Sequence, residues 1–231
     1  QPLVLRRSVA FANAIYEGVM NVEGITARHI DLPSEIPVRM AKQEISVIIA
    51  PDLYTFPEFT PDVVVDARLL KKYVEYPLPT RPMIIGLGPG FKVGMNCHSV
   101  IETNRGHYLG RALWSGEAME DTGIPGTVSQ KSHDRVLRAP TDGVIESKTR
   151  IGSIVNQGEL IGIVANKPIL APFDGVLRGF MHNGIFVKEG TKIGDPDPTL
   201  DVDLINYISE KALAIGGGVL EAILTYQNNI K

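Results

Sequence analysis

Short apolar runs bounded by turn residues dominate the first part of the chain and predict strands. The runs Ile45–Ala50, Val63–Asp66 and Met83–Ile85 are apolar almost without a break, which is typical of strands buried on both faces of a parallel sheet. Apolar residues at helical spacing follow Ser8, which predicts a helix with Ser8 as its N-cap and Gly18 as its stop. This pattern favours an α/β fold.

A 32-residue repeat occupies the next part of the chain. The segment APTDGV at 139–144 returns as APFDGV at 171–176, and further glycine and apolar positions realign without a gap. These pairs are Gly152 and Gly184, Val155 and Val187, Gly158 and Gly190, Ile161 and Ile193, and Gly162 and Gly194. Each copy consists of short strands separated by glycine turns. One copy alone would expose an apolar face and unpaired strand edges, so the two copies are predicted to close on each other.

The tail at 203–227 carries apolar side chains at helical spacing. The triplet Gly216–Gly218 interrupts them, and because glycine is a poor helix former we predict a break there. The second segment would begin at a glycine-rich N-terminus that could bind an anion, and close packing on a sheet is the alternative. Ahead of the tail, Gly194–Pro198 is predicted to be a rigid turn, because its prolines stiffen it. It has too few oxygen ligands for a calcium loop.

Composition and charge exclude several classes of protein. The 231 residues are 44% hydrophobic and 21% charged, as in globular proteins. The net charge is −3 and Lys and Arg form no run of about five, so nucleic-acid binding is not expected. No apolar stretch reaches about 18 residues, so no membrane contact is expected. A single cysteine and the absence of a signal peptide predict a cytoplasmic setting. The chain starts with Gln1, so we expect residues to precede it in the natural protein.

A glycine-rich loop follows the predicted strand at Met83–Ile85. Gly86, Gly88 and Gly90 would allow the backbone to approach a phosphate, which predicts a phosphate or nucleotide site. Pro89 removes one N–H donor, and the spacing is not that of the dinucleotide fingerprint. A tight turn that needs glycine is the alternative interpretation.

Titratable side chains are dense just after this loop. If a strand runs from 99 to 103, His98 and Glu102 share one of its faces and could move protons. With His107 they could also bind a metal. Arg105 and Arg111 could hold a phosphate or a carboxylate. In the alternative interpretation Glu102 pairs with an arginine and both histidines are polar surface groups.

Cys97 is the only thiol in the chain. Beside His98 its pKa could be lowered, which would make it a candidate carrier of sulfur or selenium. Lone cysteines are also common as small buried hydrophobic residues.

The repeat resembles the two halves of the barrel-sandwich hybrid fold of biotinyl and lipoyl carrier domains. APTDGVI with IGSIVNQGELIGIV, and APFDGVL with NGIFVKEGTKIG, carry this resemblance. In that fold the modified lysine sits at a hairpin tip between the halves, which here would be Lys167. The link at 164–170 looks too short for the usual hairpin, and Pro168 follows the lysine directly.

Motifs spread in order over nearly the whole chain carry a second resemblance. They are QPLVLRRSVAFANAIYEGVMNVEGITA, GLGPGF, HSVIETNRGHYLGR, DTGIPG, RVLRAPTDGVI, GTKIGDPDP and SEKALAIGGGVLEAI. Together they resemble a family of bacterial and archaeal accessory proteins of selenium-dependent molybdenum hydroxylases, which are enzymes of the xanthine dehydrogenase type. That family is thought to help mature the molybdenum centre or its labile selenium. The resemblance implies roles for Gly86, Gly88, Gly90, His98, Glu102, Arg105, Gly106, His107 and Arg111.

The chain departs from this family at two points. Members begin with a strand and a glycine-rich segment similar to a Rossmann start, which is absent here. Thr199 also follows Pro198, where the family pattern leads us to expect an arginine.

These observations combine into one interpretation. We expect a Rossmann-like α/β region at 1–127, a barrel-sandwich hybrid module at 128–200, and a helical tail at 201–231 that packs on the α/β region. The hypothesis is an accessory factor that binds a nucleotide or molybdopterin-type ligand near Gly86–Arg111 and has a molybdenum hydroxylase, or other maturation proteins, as its partner. Cys97 would transfer the atom, Arg105 and Arg111 would grip phosphate, and His98, Glu102 or His107 would handle protons. A non-enzymatic docking scaffold and a carrier modified at Lys167 are the alternatives.

Overall fold

A computed structural model describes residues 2–50, 60–75, 78–121 and 136–229. It has a mixed α/β fold with several sheets, two of which contain parallel strands. The chain forms two compact units, one from residues 1–55 and 127–207 and the other from 56–126 and 208–231. The predicted boundary near residue 127 lies outside the described residues.

The first 55 residues group with the repeat, whereas the sequence placed them with the glycine-rich region. Packing explains the difference. Leu5 and Tyr16 lie against the core of the repeat, and the N–H of Phe180 donates to the Leu5 carbonyl at 2.9 Å.

A three-stranded sheet and two short helices form the early part of the first unit. Strands β1 (Val19–Val22) and β2 (Ile25–His29) form an antiparallel hairpin, and β3 (Ile45–Val47) runs parallel to β2. Helices α1 (Ala14–Glu17) and α2 (Ile36–Ala41) complete this part.

The predicted helix after Ser8 is only partly present. Two 3-10 turns at 7–9 and 11–13 precede α1, which ends at Gly18 as predicted. Ser8 does not cap a helix, because its hydroxyl donates to the Ile205 carbonyl at 2.6 Å.

The second unit contains a four-stranded sheet covered on both faces. Its strands, in sheet order, are β4 (Val63–Asp66), β5 (Met83–Leu87), β6 (Ser99–Ile101) and β7 (Ala112–Leu113), with β4, β5 and β6 parallel and β7 antiparallel. Helix α3 (Glu210–Asn229) packs on one face through residues such as Ala222 and Val219. Phe91, Cys97 and Val100 form the core on the other face.

Helix α3 runs without a break through Gly216–Gly218, so the predicted break is wrong. Tertiary packing overrides the low helix propensity of glycine. A Cβ at position 218 would lie 2.0 Å from the Gly110 carbonyl oxygen. Only glycine therefore permits this contact between α3 and the loop after β6.

The repeat forms two matching four-stranded antiparallel sheets. Its strands are β8 (Leu137–Arg138), β9 (Gly143–Ser147), β10 (Ile154–Val155), β11 (Leu160–Val164), β12 (Lys167–Leu170), β13 (Gly175–Phe180), β14 (Phe186–Val187) and β15 (Lys192–Asp197). The sheet orders are β12-β11-β9-β14 and β8-β15-β13-β10. The 32-residue offset maps one order onto the other. Short β10 of the first copy pairs with β13 of the second, and β14 of the second pairs with β9 of the first. The two copies thus close on each other by exchanging a strand.

Reciprocal hydrogen bonds reinforce this exchange. Asp142 accepts from the N–H of Glu189 at 2.8 Å, and its repeat equivalent Asp174 accepts from the N–H of Gln157 at 2.7 Å. The repeated aspartate therefore caps a glycine turn in the opposite copy.

Two local expectations in the repeat are wrong. The segment at 194–198 is not a rigid turn, since it lies largely in β15, where Asp195 and Asp197 form ion pairs with Arg178. The link between the copies is long enough for a hairpin, because Ala165 and Asn166 adopt positive φ values of 44° and 68° and close a two-residue turn between β11 and β12.

Across the described ranges, the structure contains no helix with the length and apolar character that crossing a membrane requires.

Candidate functional site

Loops after the parallel strands of the second unit meet at one edge of its sheet. Asp66 ends β4, the glycine-rich loop follows β5, and Glu102 follows β6. In open α/β sheets, ligands bind in the crevice outside the carboxyl ends of the strands. We call this edge, with the first turn of α3, the carboxyl edge.

Glu102 is buried at the carboxyl edge, with 2% of its surface exposed. Its carboxylate accepts hydrogen bonds from the N–H groups of Asn104 at 2.7 Å and Met119 at 2.8 Å. These bonds fix two loops to each other, a structural role that neither of the interpretations from sequence included.

Two cationic side chains lie at the start of α3. Arg105 is exposed and forms an ion pair with Glu210, the first residue of the helix. Lys211 is half-buried, and burial, together with the charge of Arg105, lowers its pKa. The negative charges of Glu102, Asp121 and Glu210 raise this pKa, but by less than burial lowers it.

Lys211 is the residue of this edge that the sequence interpretation missed. Ser209 caps the helix, since its hydroxyl accepts from the N–H of Ala212 at 3.2 Å. A serine followed by Glu210 is a helix-start signal, and it could have placed Lys211 in the first turn.

His107 and Arg111 lie in an exposed loop after β6. The guanidinium carbon of Arg111 stands 5.7 Å from the ring centre of Tyr108, and its Nε donates to the His107 carbonyl at 3.3 Å. The cation–π contact and this hydrogen bond orient Arg111 within its own loop.

Packing accounts for Gly86 within β5 and for the glycines of the loop that follows it. A Cβ at Gly86 would lie 2.2 Å from the Phe91 ring, and one at Gly88 would lie 2.5 Å from Thr103 Oγ1. The N–H of Gly88 already donates to the Ile101 carbonyl. A Cβ at Gly90 would meet Leu70 at 2.7 Å. The loop therefore fits the tight-turn alternative better than a phosphate cradle.

Cys97 and His98 lie at the opposite, amino end of β6. The structure therefore separates them from Glu102 and Arg105, and the predicted cluster is divided between two ends of the sheet. His98 and Glu102 do not form the pair that a shared strand face would give. They lie beyond opposite ends of β6, and each side chain accepts a hydrogen bond from a backbone N–H.

Burial favours the neutral forms of His98 and Cys97. Nδ1 of His98 accepts from the N–H of Ile84 at 2.9 Å. Burial lowers the pKa of His98 more than its backbone hydrogen bonds raise it. Cys97 is fully buried, and burial raises the pKa of its thiol to about 11. A protonated, inaccessible thiol does not favour sulfur or selenium transfer.

The metal and carrier hypotheses can be compared with the described residues. Among the described ranges, no group of three or more His, Cys, Asp or Glu side chains is placed to hold a metal ion. Lys167 is the exposed first residue of β12, and its Nζ lies 3.5 Å from the Pro140 carbonyl oxygen.

A comparison with curated proteins finds a relative in Escherichia coli. The chain is 42% identical over 224 residues to a protein of Escherichia coli (strain K12) called uncharacterized protein YqeB. The match covers 97% of this chain and 41% of that protein, so the chain spans about two-fifths of its relative's length. No family model matches the chain.

Three solved structures give partial matches to the chain. An aspartoacylase family protein from Mesorhizobium loti is 17% identical with a TM-score of 0.26, covering 36% of this chain and 25% of that one. A succinylglutamate desuccinylase/aspartoacylase from Rhodobacter sphaeroides is 23% identical with a TM-score of 0.27, covering 29% and 22%. The ectoine utilization protein EutE (DoeB) from Ruegeria pomeroyi is 18% identical with a TM-score of 0.27, covering 38% and 27%. Such partial likenesses carry no argument about function.

Proposed function

We propose that the chain is an accessory factor for the maturation of selenium-dependent molybdenum hydroxylases, and that it holds a phosphate-bearing ligand at the carboxyl edge. The observation that carries the ligand proposal is that Lys211 belongs to the first turn of the long helix α3 and that Arg105 lies beside this turn. Two cations and the N-terminal end of a helix favour a phosphate group. The ligand class is a nucleotide or a molybdopterin-type molecule, and the hydroxylase is the partner.

The proposal also assigns a fold to the second unit and to the repeat. We propose a Rossmann-like region for the second unit, supported by the parallel order β4-β5-β6 with α3 on one face. We propose a barrel-sandwich hybrid for the repeat, supported by two matching sheets that exchange a strand.

Ligand binding is tested by calorimetric titration with ATP and with inorganic pyrophosphate. Loss of one charge-assisted contact costs about 1.5–3 kcal/mol, so Arg105→Gln and Lys211→Gln should each weaken binding by roughly tenfold or more. Arg138→Gln, which changes an exposed arginine of the repeat, is the matched control and should leave the affinity unchanged. Absence of binding by both probes, or equal affinity in all variants, would contradict the phosphate site.

A second candidate is a docking scaffold that performs no chemistry. The buried, protonated thiol of Cys97 favours it over atom transfer. The test is selenium content and activity of the hydroxylase in a strain that lacks this protein and is complemented with Cys97→Ala. Full maturation excludes transfer through Cys97. Loss of maturation with a normally folded variant excludes the scaffold.

The carrier hypothesis is tested in the same strain. Lys167→Arg keeps the charge but removes the acceptor for biotin or lipoate. Unchanged maturation eliminates the carrier role, whereas lost maturation and an adduct on Lys167 in the intact mass would establish it.

A further inference from the structure

The first residue of α3 holds its own carboxylate over the N-terminus of the helix. The Glu210 carboxylate pairs with the Arg105 guanidinium and accepts hydrogen bonds from the N–H groups of Glu210 and Lys211. These contacts, led by the one with Arg105, lower the pKa of Glu210 more than burial raises it. A negative charge therefore already occupies an anion position that one cation and two backbone N–H groups form.

A phosphate at the carboxyl edge would use the same groups. The N–H groups in the first turn of a helix have no acceptor within the helix, and they favour anions. Arg105 is one of the two cations of the proposed phosphate site, and its guanidinium suits a phosphate as well as a carboxylate. A phosphate that takes both the guanidinium and the N–H groups has to replace the Glu210 carboxylate.

Among the carboxylates that act on Lys211, Glu210 is the one that is placed to leave. Glu102 is 2% exposed and is held by two backbone N–H groups. Asp121 forms an ion pair with Lys71 at 3.1 Å, and 34% of its side chain is exposed. By contrast, 70% of the Glu210 side chain is exposed. An exposed ion pair is weak, and breaking one changes an equilibrium constant by up to about fivefold.

We propose, on the basis of that phosphate site, that Glu210 is a built-in competitor of the ligand. Its carboxylate fills the anion position of the free protein and is displaced when a phosphate group binds to Arg105 and to the first turn of α3. The competitor lowers the affinity that Arg105 and Lys211 would otherwise give. Removal of the Glu210 carboxylate should therefore strengthen binding, whereas removal of either cation weakens it.

Calorimetric titration with pyrophosphate tests this proposal on the protein at its full natural length. Glu210→Gln keeps the size of the side chain but removes its charge, and it should lower the Kd about three- to fivefold. The matched control is Glu221→Gln, the same change at an exposed position about three turns further along α3. That distance of about 16 Å exceeds the Debye length of about 10 Å at 0.1 M salt, so the control should leave the Kd unchanged.

Two results would overturn the proposal in different ways. If the wild type binds pyrophosphate and Glu210→Gln binds it no more tightly, the carboxylate does not compete, and the phosphate site itself stands. If the wild type and both glutamine variants all fail to bind, the phosphate site is lost and the competitor with it. Binding by Glu210→Gln alone would support the proposal, because the carboxylate would then block the site.

A double variant separates competition for Arg105 from general charge repulsion. A competitor acts by holding the guanidinium, so the gain from Glu210→Gln should fall below about twofold when Arg105→Gln is also present. Repulsion between Glu210 and the ligand would give the same gain in both backgrounds, and that result would overturn the proposal. Glu210→Ala removes the same carboxylate and should reproduce the gain if the glutamine variant folds poorly.

Discussion

At the scale of single residues, the thiol of Cys97 gives the clearest chemical prediction. With a pKa of about 11 in place of 9.0, its thiolate fraction at pH 8 falls about 100-fold. We expect a colourless aromatic disulfide reagent to react with the native protein at least about 100-fold more slowly than with the chain unfolded in guanidinium. A native rate within a few-fold of the unfolded rate would show an accessible thiol.

His98 predicts how stability depends on pH. Its pKa is lowered from 6.5 in the folded protein, so at pH values just below 6.5 the unfolded chain binds more protons than the folded one. Its contribution to stability is present above pH 6.5 and is lost as the pH falls below that value. Denaturant titrations at a series of pH values measure the free energy of unfolding. As the pH falls below 6.5, this free energy should decrease less in His98→Gln than in the wild type. Identical pH profiles would contradict the assignment.

At the scale of elements, neighbouring glycines of α3 should respond to alanine with opposite signs. A Cβ at Gly217 meets nothing within 4 Å, so Gly217→Ala should raise the free energy of unfolding by about 0.5–1 kcal/mol through helix propensity. Gly218→Ala should lower it, because the methyl group would collide with the Gly110 carbonyl. Chemical denaturation measures both, and a stabilising Gly218→Ala would show that the helix and the loop are not in close contact.

Because the two copies of the repeat exchange a strand, equivalent mutations in them should lower the free energy of unfolding by similar amounts. Asp142→Ala and Asp174→Ala each remove the side-chain acceptor of a backbone N–H in the opposite copy, at a cost of about 0.5–1.5 kcal/mol because both bonds are exposed to water. Asp142→Asn and Asp174→Asn keep an acceptor oxygen and should cost less. A large loss at one position and none at the other would contradict the reciprocal arrangement.

At the scale of the whole molecule, the two units have separate hydrophobic cores. A destabilising mutation in one unit should therefore raise amide hydrogen exchange in that unit only. The repeat core contains residues such as Ile145 and Leu177, and the second unit buries Met83 and Ile101. We expect Gly218→Ala to raise amide hydrogen exchange in β5, β6 and α3, and Asp174→Ala to raise it in β9 to β15. Increased exchange in both units from either change would contradict independent cores.

Much of this architecture is predictable because it depends on local pattern. Strands β3 and β4 lie within the predicted apolar runs and β5 begins at one, because a continuous apolar run can be recognised without its partner strands. The expected burial on both faces is not met in β3 and β4, since Ile45 and Val65 are exposed. The repeat predicted two halves that close on each other. The unbroken α3 was not predictable, because the Gly218 contact with Gly110 joins residues far apart in the chain.

The candidate site was predictable only in part, for the same reason. Glu102 and Arg105 lie at the carboxyl edge, whereas Cys97 and His98 lie at the other end of β6. The three residues of β6 separate the two pairs. Lys211 enters the site from a helix more than a hundred residues away along the chain. Sequence spacing shows which residue types are near each other in the chain, and not which end of a strand they occupy.

The sequence by itself determined the repeat, its strand pattern and the parallel strands, since these follow from periodicity and from glycine at turns. Only the tertiary structure decided that residues 1–55 join the repeat and that Cys97 is buried and protonated. Burial, pKa and exposure depend on which distant segments pack together. These properties are set by the packing of the whole chain rather than by local pattern.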